Sequence, residues 1–214
     1  MADTCAFGQT PIRKKAMSND FALCPECGSK KIQFVQNKKW TCPDCGFDLY
    51  CNVAAAVGLI IAAPDKSVLF ETRAKEPRKG FLALPGGFCN PDESAESAAK
   101  RECFEEIGFN VDGARIKYVA SFPNTYPYKN FVYKTCDLFF EARLSQEEAD
   151  GLLQKIKADQ KEVSGVCLKK VASQADIDSL PLAFDSAKKA LKTWIEQKIP
   201  ASEREDDKLC HCRA

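Results

Sequence analysis

Two near-copies of one five-residue pattern, Cys24-Pro25-Glu26-Cys27-Gly28 and Cys42-Pro43-Asp44-Cys45-Gly46, stand 18 residues apart from first cysteine to first cysteine. Each Cys-x-x-Cys turns two thiolates toward one point, and the glycine after it accepts the tight backbone turn. Two such knuckles complete a tetrahedral four-sulfur site of the kind that structural Zn²⁺ occupies. The segment from Phe21 to Tyr50 is too small to bury a core, so metal binding has to supply its folding free energy. Short strands are expected at Ile32–Val35 and Lys39–Thr41. A pair of redox dithiols is the competing reading. Two matched knuckles within a short polar segment favour a closed, non-catalytic zinc ribbon with Cys24, Cys27, Cys42 and Cys45 as ligands.

The chain has twelve cysteines in 214 residues. Its first thirty residues lack a long apolar stretch, and no run approaches the ~20 apolar residues of a membrane-spanning helix. The expectation is therefore a cytoplasmic protein with no membrane partner, whose cysteines are thiols or metal ligands rather than a disulfide framework. Cys103, Cys136 and Cys167 lie among apolar residues and read as small core side chains. Cys5, Cys51 and Cys89 carry no assignment, and Cys210-His211-Cys212 reads as part of a solvated tail. With 31 Lys and Arg against 30 Asp and Glu, no global charge announces a nucleic-acid partner. Hydrophobic residues at 45% and charged ones at 29% indicate a folded chain.

Four parts are expected: a flexible lead over 1–22, the ribbon over 23–51, an α/β domain over 52–200 and a charged tail over 201–214. The domain opens with the apolar run Val53–Ile61. Pro64-Asp65-Lys66 should turn it into a second strand at Ser67–Glu71, forming a hairpin. Further strands are expected at Ile116–Phe122, Lys134–Arg143 and Val163–Lys169. Helices are expected over Ser94–Ile107, Gln146–Lys157 and Phe184–Gln197. Mixed strands and helices in this order suggest a sheet with helices on both sides.

Between Gly87 and Phe109 the chain gathers five glutamates and an aspartate around one arginine. Ser94 is a candidate N-cap and Gly108 a candidate stop for a helix on which Glu102, Glu105 and Glu106 span about 100° and share one face. Arg101 can hold Glu105 through an i,i+4 pair. Like charges at this spacing repel, and near a helix C-terminus they also oppose the macrodipole. A solvated acidic face would leave that conflict standing. A hard divalent cation resolves it, since Mg²⁺ takes one or two carboxylates and leaves its other positions to water and phosphate.

The full spacing, Gly87, Glu93, Arg101, Glu102, Cys103, Phe104, Glu105, Glu106, Ile107, Gly108 and Phe109, resembles the Gly-x5-Glu-x7-Arg-Glu-U-x-Glu-Glu-x-Gly-U box of the Nudix hydrolases, with Cys103 in the first bulky apolar slot. The resemblance covers about Val53 to Lys198. It implies an α/β/α sandwich with a mixed sheet and the cleavage of a diphosphate in a nucleoside diphosphate linked to another moiety X. It also implies Mg²⁺ or Mn²⁺ at Gly87, Glu102, Glu105 and Glu106, with Arg101 orienting the carboxylates and Glu93 supporting them. The run Thr72–Gly80 followed by Leu84–Phe88 is similar to that of ADP-ribose-pyrophosphatase-like members, and a zinc ribbon ahead of the domain is shared with NADH pyrophosphatases. By that likeness ADP-ribose leads, with FAD and NADH behind it. Ser121–Tyr128 keeps aromatic and proline character without the SQPWPFP signature of the NADH enzymes. Arg73, Gly87, Phe88, Tyr126 and Tyr128 are candidate substrate contacts, and Glu162 is a candidate base. Two other readings stay open: an RNA-cap hydrolase, and a non-catalytic nucleotide sensor whose ribbon binds RNA through Lys30, Lys31, Lys38 and Lys39. A homodimer is also open.

Overall fold

The computed structural model of this chain describes residues 21–112, 115–128 and 131–198, apart from the side chains of Tyr128 and Phe131. The expected lead, Cys5 and the Cys210-His211-Cys212 tail lie outside the described residues. The chain divides into two compact units. One holds the residues up to Asn52 with Pro127–Val132, and the other holds Val53–Tyr126 with the chain from Tyr133 onward.

The first unit is a three-stranded antiparallel sheet, β1 (Gln33–Val35), β2 (Lys39–Thr41) and β3 (Asp48–Tyr50), with β2 in the middle. Gln36 and Asn37 both adopt positive φ, the primed two-residue turn that matches the twist of a hairpin. The third strand goes beyond the sequence expectation. Three residues are too few to show alternation, and β3 forms by pairing with the free edge of β2, Trp40 opposite Leu49 and Thr41 opposite Asp48. Thr41 Oγ1 donates to Asp48 at 2.7 Å and Lys39 pairs with the same carboxylate. Trp40 packs edge-on against Phe21 at 5.0 Å and tilted against Phe34 at 4.7 Å. Among the described residues of this unit, only Cys24, Trp40 and Cys42 are buried apolar side chains.

The second unit contains β4 (Ala54–Ala62), β5 (Ser67–Arg73), β6 (Leu82–Ala83), α1 (Ala95–Ile107), β7 (Ile116–Tyr128) as far as Tyr126 and β8 (Phe131–Arg143) from Tyr133. It continues with α2 (Gln146–Asp150), α3 (Leu152–Lys155), β9 (Val163–Lys170), α4 (Gln174–Ser179) and α5 (Asp185–Gln197). The sheet runs β6-β5-β4-β8-β7, with β9 pairing β5. It is mixed, because β4 and β8 are parallel from Ala54 opposite Thr135 to Ala62 opposite Arg143. Both faces are covered, which is why β4 reads as an unbroken apolar run. On one side Ala98, Ala99, Cys103 and Ile107 of α1 meet Leu59, Ile61, Leu69 and Phe140. On the other, Ala187, Ala190, Leu191 and Trp194 of α5 meet Ile60, Val68, Phe70 and Phe139.

Three expectations are corrected. The hairpin between the first two strands of this unit exists only at its turn, where Ala62 pairs Val68; beyond it the same edge of β5 pairs β6, β9 lines the opposite edge of β5, and the edge of β4 is taken by a loop. The helix over Gln146–Lys157 breaks at Gly151 into α2 and α3, because the capped start at Ser145 is followed by a residue with poor helical persistence. A short helix, α4, was not expected; Ser173 and Asp176 form a capping box that starts it. In addition, β7 runs on through Pro123 and Pro127, which an edge strand tolerates.

Candidate functional site

The loop Pro85–Cys89 takes the edge of β4 that β5 leaves. Leu59 N–H donates to Pro85 O at 2.8 Å, Val57 N–H to Gly87 O at 2.8 Å, and Cys89 N–H to Ala55 O at 3.1 Å. Gly86 sits at φ 152°, and a Cβ there would lie 2.1 Å from the Val57 carbonyl oxygen. At Gly87 a Cβ would lie 2.7 Å from the Glu102 carboxyl carbon. The two glycines therefore bring loop backbone against both the strand and the carboxylate of the helix.

Helix α1 delivers that carboxylate. Ser94 Oγ accepts the Ser97 N–H at 3.2 Å at its start, and Gly108 ends it in the left-handed region. Arg101 is the hub. Its Nε and Nη2 grip both oxygens of Glu93 at 2.9 and 2.8 Å, and Nη1 reaches Glu102 at 2.8 Å and Glu105 at 3.0 Å. Nη2 also donates to the Phe88 carbonyl at 3.0 Å. One planar fork thus ties loop, helix start and acidic face together. The Arg101 bonds hold Glu93 below the usual carboxylate range, while burial pushes Glu102 up against the opposing pull of Arg101.

Glu106 turns inward and is buried. It accepts the Gly86 N–H at 2.7 Å. Burial, then the neighbouring charge of Glu71, raise it well above the ordinary range. Glu71 was not singled out from sequence. It lies on β5 two residues after Leu69, is 2% exposed, and burial pushes it up as well, with Glu106 in hydrogen-bond contact. A charged residue continuing the apolar run Val68-Leu69-Phe70 was the signal that could have found it.

Of the candidate contacts, Glu162 is ion-paired to Lys75 at 2.6 Å. It is brought toward the acidic face because the loop before β9 hangs from the end of α1, Asp159 N–H donating to Glu106 O at 2.8 Å. Its charge is felt at Glu71, Glu102 and Glu106. At Arg73 the pairing of β5 with β9 shifts register. The side chain donates to Pro77 O at 2.9 Å and lies over the Phe184 ring at 5.3 Å. Phe88 meets Tyr126 at 5.4 Å and Tyr133 at 5.8 Å, and Tyr126 meets Phe184 at 5.8 Å, so aromatic rings continue from the glycine loop to Arg73. Tyr133 and Phe184 were not anticipated. Tyr128 is on β7, with its side chain outside the described residues.

In the first unit the four sulfurs are the one group of three or more metal-ligating side chains, among the described residues, whose donor atoms all lie within 4.8 Å of one another. Cys24 Sγ is 3.7 Å from Cys45 Sγ, and Cys27 Sγ is 3.7 Å from Cys42 Sγ. Tetrahedral Zn–S bonds of ~2.3 Å place sulfurs about 3.8 Å apart, so the set fits zinc. Gly28 and Gly46 turn each knuckle at positive φ. Burial opposes ionisation at Cys42, yet N–H groups of Cys45 and Asp44 and the neighbouring thiols bring it down to about 7. At Cys45 the Phe47 N–H favours the thiolate, but burial and three neighbouring sulfurs push it up to about 12.

The NUDIX domain family profile matches residues 53–194. The chain belongs to the Nudix family. Similar curated proteins include the NAD-capped RNA hydrolase of Schizosaccharomyces pombe, 29% identical over 58% of this chain and 35% of that one. Another is NAD-capped RNA hydrolase NudC of Deinococcus radiodurans, 31% identical over 50% of this chain and 38% of that one. The chain thus spans little more than a third of the length of these relatives. Among solved structures, the NUDIX domain of Shewanella oneidensis NrtR complexed with ADP ribose is similar at TM-score 0.54 and 21% identity, covering 74% of this chain and 94% of that one. A MutT/nudix family protein from Enterococcus faecalis is similar at TM-score 0.55 and 20% identity, covering 71% and 64%. These likenesses show the Nudix fold, its mixed sheet lying between helices as expected. No helix among the described residues is long and apolar enough to cross a membrane.

Proposed function

We propose that this Nudix protein is a cation-dependent hydrolase of the diphosphate bond in a nucleoside diphosphate linked to X, with ADP-ribose as the leading substrate. The observation that carries the reading is the Arg101 hub, which holds three carboxylates against a glycine loop whose missing Cβ leaves room for one of them. Glu102, Glu105 and Glu106 would hold Mg²⁺ or Mn²⁺ beside Gly87. When bound, such a cation neutralises phosphate charge and makes a water nucleophilic near neutral pH. Glu105, which is 57% exposed in its side chain, is free to turn from Arg101 toward the ion. Arg101 orients the acidic face, Glu93 steadies Arg101, and Glu162 would leave Lys75 to take a proton from the attacking water. The base of the substrate would lie against Phe88 and Tyr126, with Arg73 near phosphate. The ribbon cysteines would hold Zn²⁺ as a structural ion.

The names of the relatives favour a second reading, hydrolysis of an NAD cap on RNA. ADP-ribose, NADH and that cap share an adenosine diphosphate ribose unit, and FAD shares the adenosine diphosphate. One assay separates them: purified protein with Mg²⁺ is given ADP-ribose, NADH, FAD and NAD-capped RNA, and products are identified. Release of AMP and ribose 5-phosphate at the highest kcat/KM supports the leading reading. Preference for capped RNA, weakened by salt, supports the second. Turnover of none of them by the wild type overturns both.

A further inference from the structure

The acidic helix face has a neighbour that the family box does not include. Glu71 comes from the sheet, and alternation along β5 puts it on the side of Leu69, which packs under α1. The side chain is 2% exposed, and its Oε2 is buried without a hydrogen-bond partner. Its other contact is the Glu106 carboxyl, itself buried. Arg73 acts on Glu71 through its charge alone, without a hydrogen bond to it, its Nε donating to Pro77 O and its guanidinium lying over the Phe184 ring. An apolar residue would suit this strand position better. A buried carboxylate beside another, with one oxygen unsatisfied, destabilises the cation-free protein. A dication removes both penalties at once, because it takes carboxylate oxygens as ligands.

We propose that Glu71 is a fourth carboxylate of the cation site, entering from the sheet beneath Glu106 and sharing a divalent cation with it. The inference rests on the cation-dependent reading above. Its test is Mn²⁺ binding to the full chain, followed by electron paramagnetic resonance of free Mn²⁺, in wild type, Glu71→Gln and Glu105→Gln. Glu71→Gln should bind Mn²⁺ at least tenfold more weakly or bind one ion fewer. Its melting temperature without Mn²⁺ should equal or exceed that of wild type, since the amide can donate to Glu106, and the rise on adding Mn²⁺ should shrink. Wild-type Mn²⁺ affinity and stoichiometry in Glu71→Gln, with binding weakened in Glu105→Gln, overturns this proposal alone. No Mn²⁺ binding by wild type overturns it together with the hydrolase reading. Should Glu71→Gln not fold, an anomalous map of wild-type crystals grown with Mn²⁺ decides. A peak about 2.0–2.6 Å from a Glu71 oxygen supports the site, and a peak on Glu106 that Glu71 does not reach overturns it.

Discussion

The two units hold their candidate metal ligands in opposite ways. In the ribbon, two cysteines and one tryptophan are all the buried apolar side chains among the described residues, so the sulfur cluster is the core. In the Nudix unit two extensive apolar clusters cover both faces of the sheet, and the carboxylates decorate a fold that exists without them. The sulfurs already stand at ion-binding separation, whereas Glu102 and Glu105 rest on Arg101 and Glu106 rests on Gly86. A structural site is assembled by the ion. A catalytic site has to admit and exchange ligands, so its carboxylates keep other partners in the meantime.

The largest effect should come from stripping the ribbon. Cys42→Ala should abolish the one zinc expected per chain, measured by elemental analysis, and unfold residues around Trp40, since structural zinc supplies roughly 10–16 kcal/mol of apparent binding free energy in small domains. Limited proteolysis should then cut the ribbon and spare the Nudix unit. An intact, protease-resistant ribbon without zinc would break the comparison.

In the second unit the reverse split is expected. Glu105→Gln should lower kcat/KM for ADP-ribose by about two orders of magnitude or more, while the melting temperature stays near that of wild type because the side chain is 57% exposed. Unchanged turnover would remove the carboxylate from the mechanism. Gly87→Ala should cost about ten- to a hundredfold in kcat, because the new Cβ meets the Glu102 carboxyl at 2.7 Å and misplaces it. Steady-state kinetics with an unchanged circular dichroism spectrum would check it.

The smallest effect lies away from both proposed ion sites. Arg115 grips Glu148 with two bonds at 2.6 and 2.8 Å, and that grip, aided by the Ser145 N–H, holds the carboxyl down at about 2. Its folded pKa lies below the unfolded value of about 4.3. The stabilisation is therefore fully present above about pH 4.3 and is lost as pH falls toward 2. A partly exposed pair amounts to ~0.2–1 kcal/mol. Glu148→Gln should flatten the acid limb of urea-melt stability by that much and leave stability near pH 7 lowered by the same small amount.

Local pattern made several features legible. Ser94 and Gly108 bounded α1, the spacing of Glu102, Glu105 and Glu106 marked one face, and the i,i+4 bond of Arg101 to Glu105 formed as its spacing suggested. Other features needed partners distant in sequence. Nothing local says that β4 will give its edge to Pro85–Cys89, or that β5 will pair β6 rather than extend its hairpin. Phe184 and Tyr133 joined the aromatic row because α5 and β8 arrive there from far along the chain.

Residue chemistry and short spacing alone determined the two candidate ligand sets, one of soft sulfurs and one of hard carboxylates, and which turns and helix ends present them. Those properties depend on residues within one or two turns of each other, and the backbone geometry over that range is nearly fixed. Only the tertiary structure decided what lies behind the acidic face. Whether Glu71 is solvated or buried against Glu106 depends on which strand its neighbours pair with, and that is set by burial summed over the whole sheet.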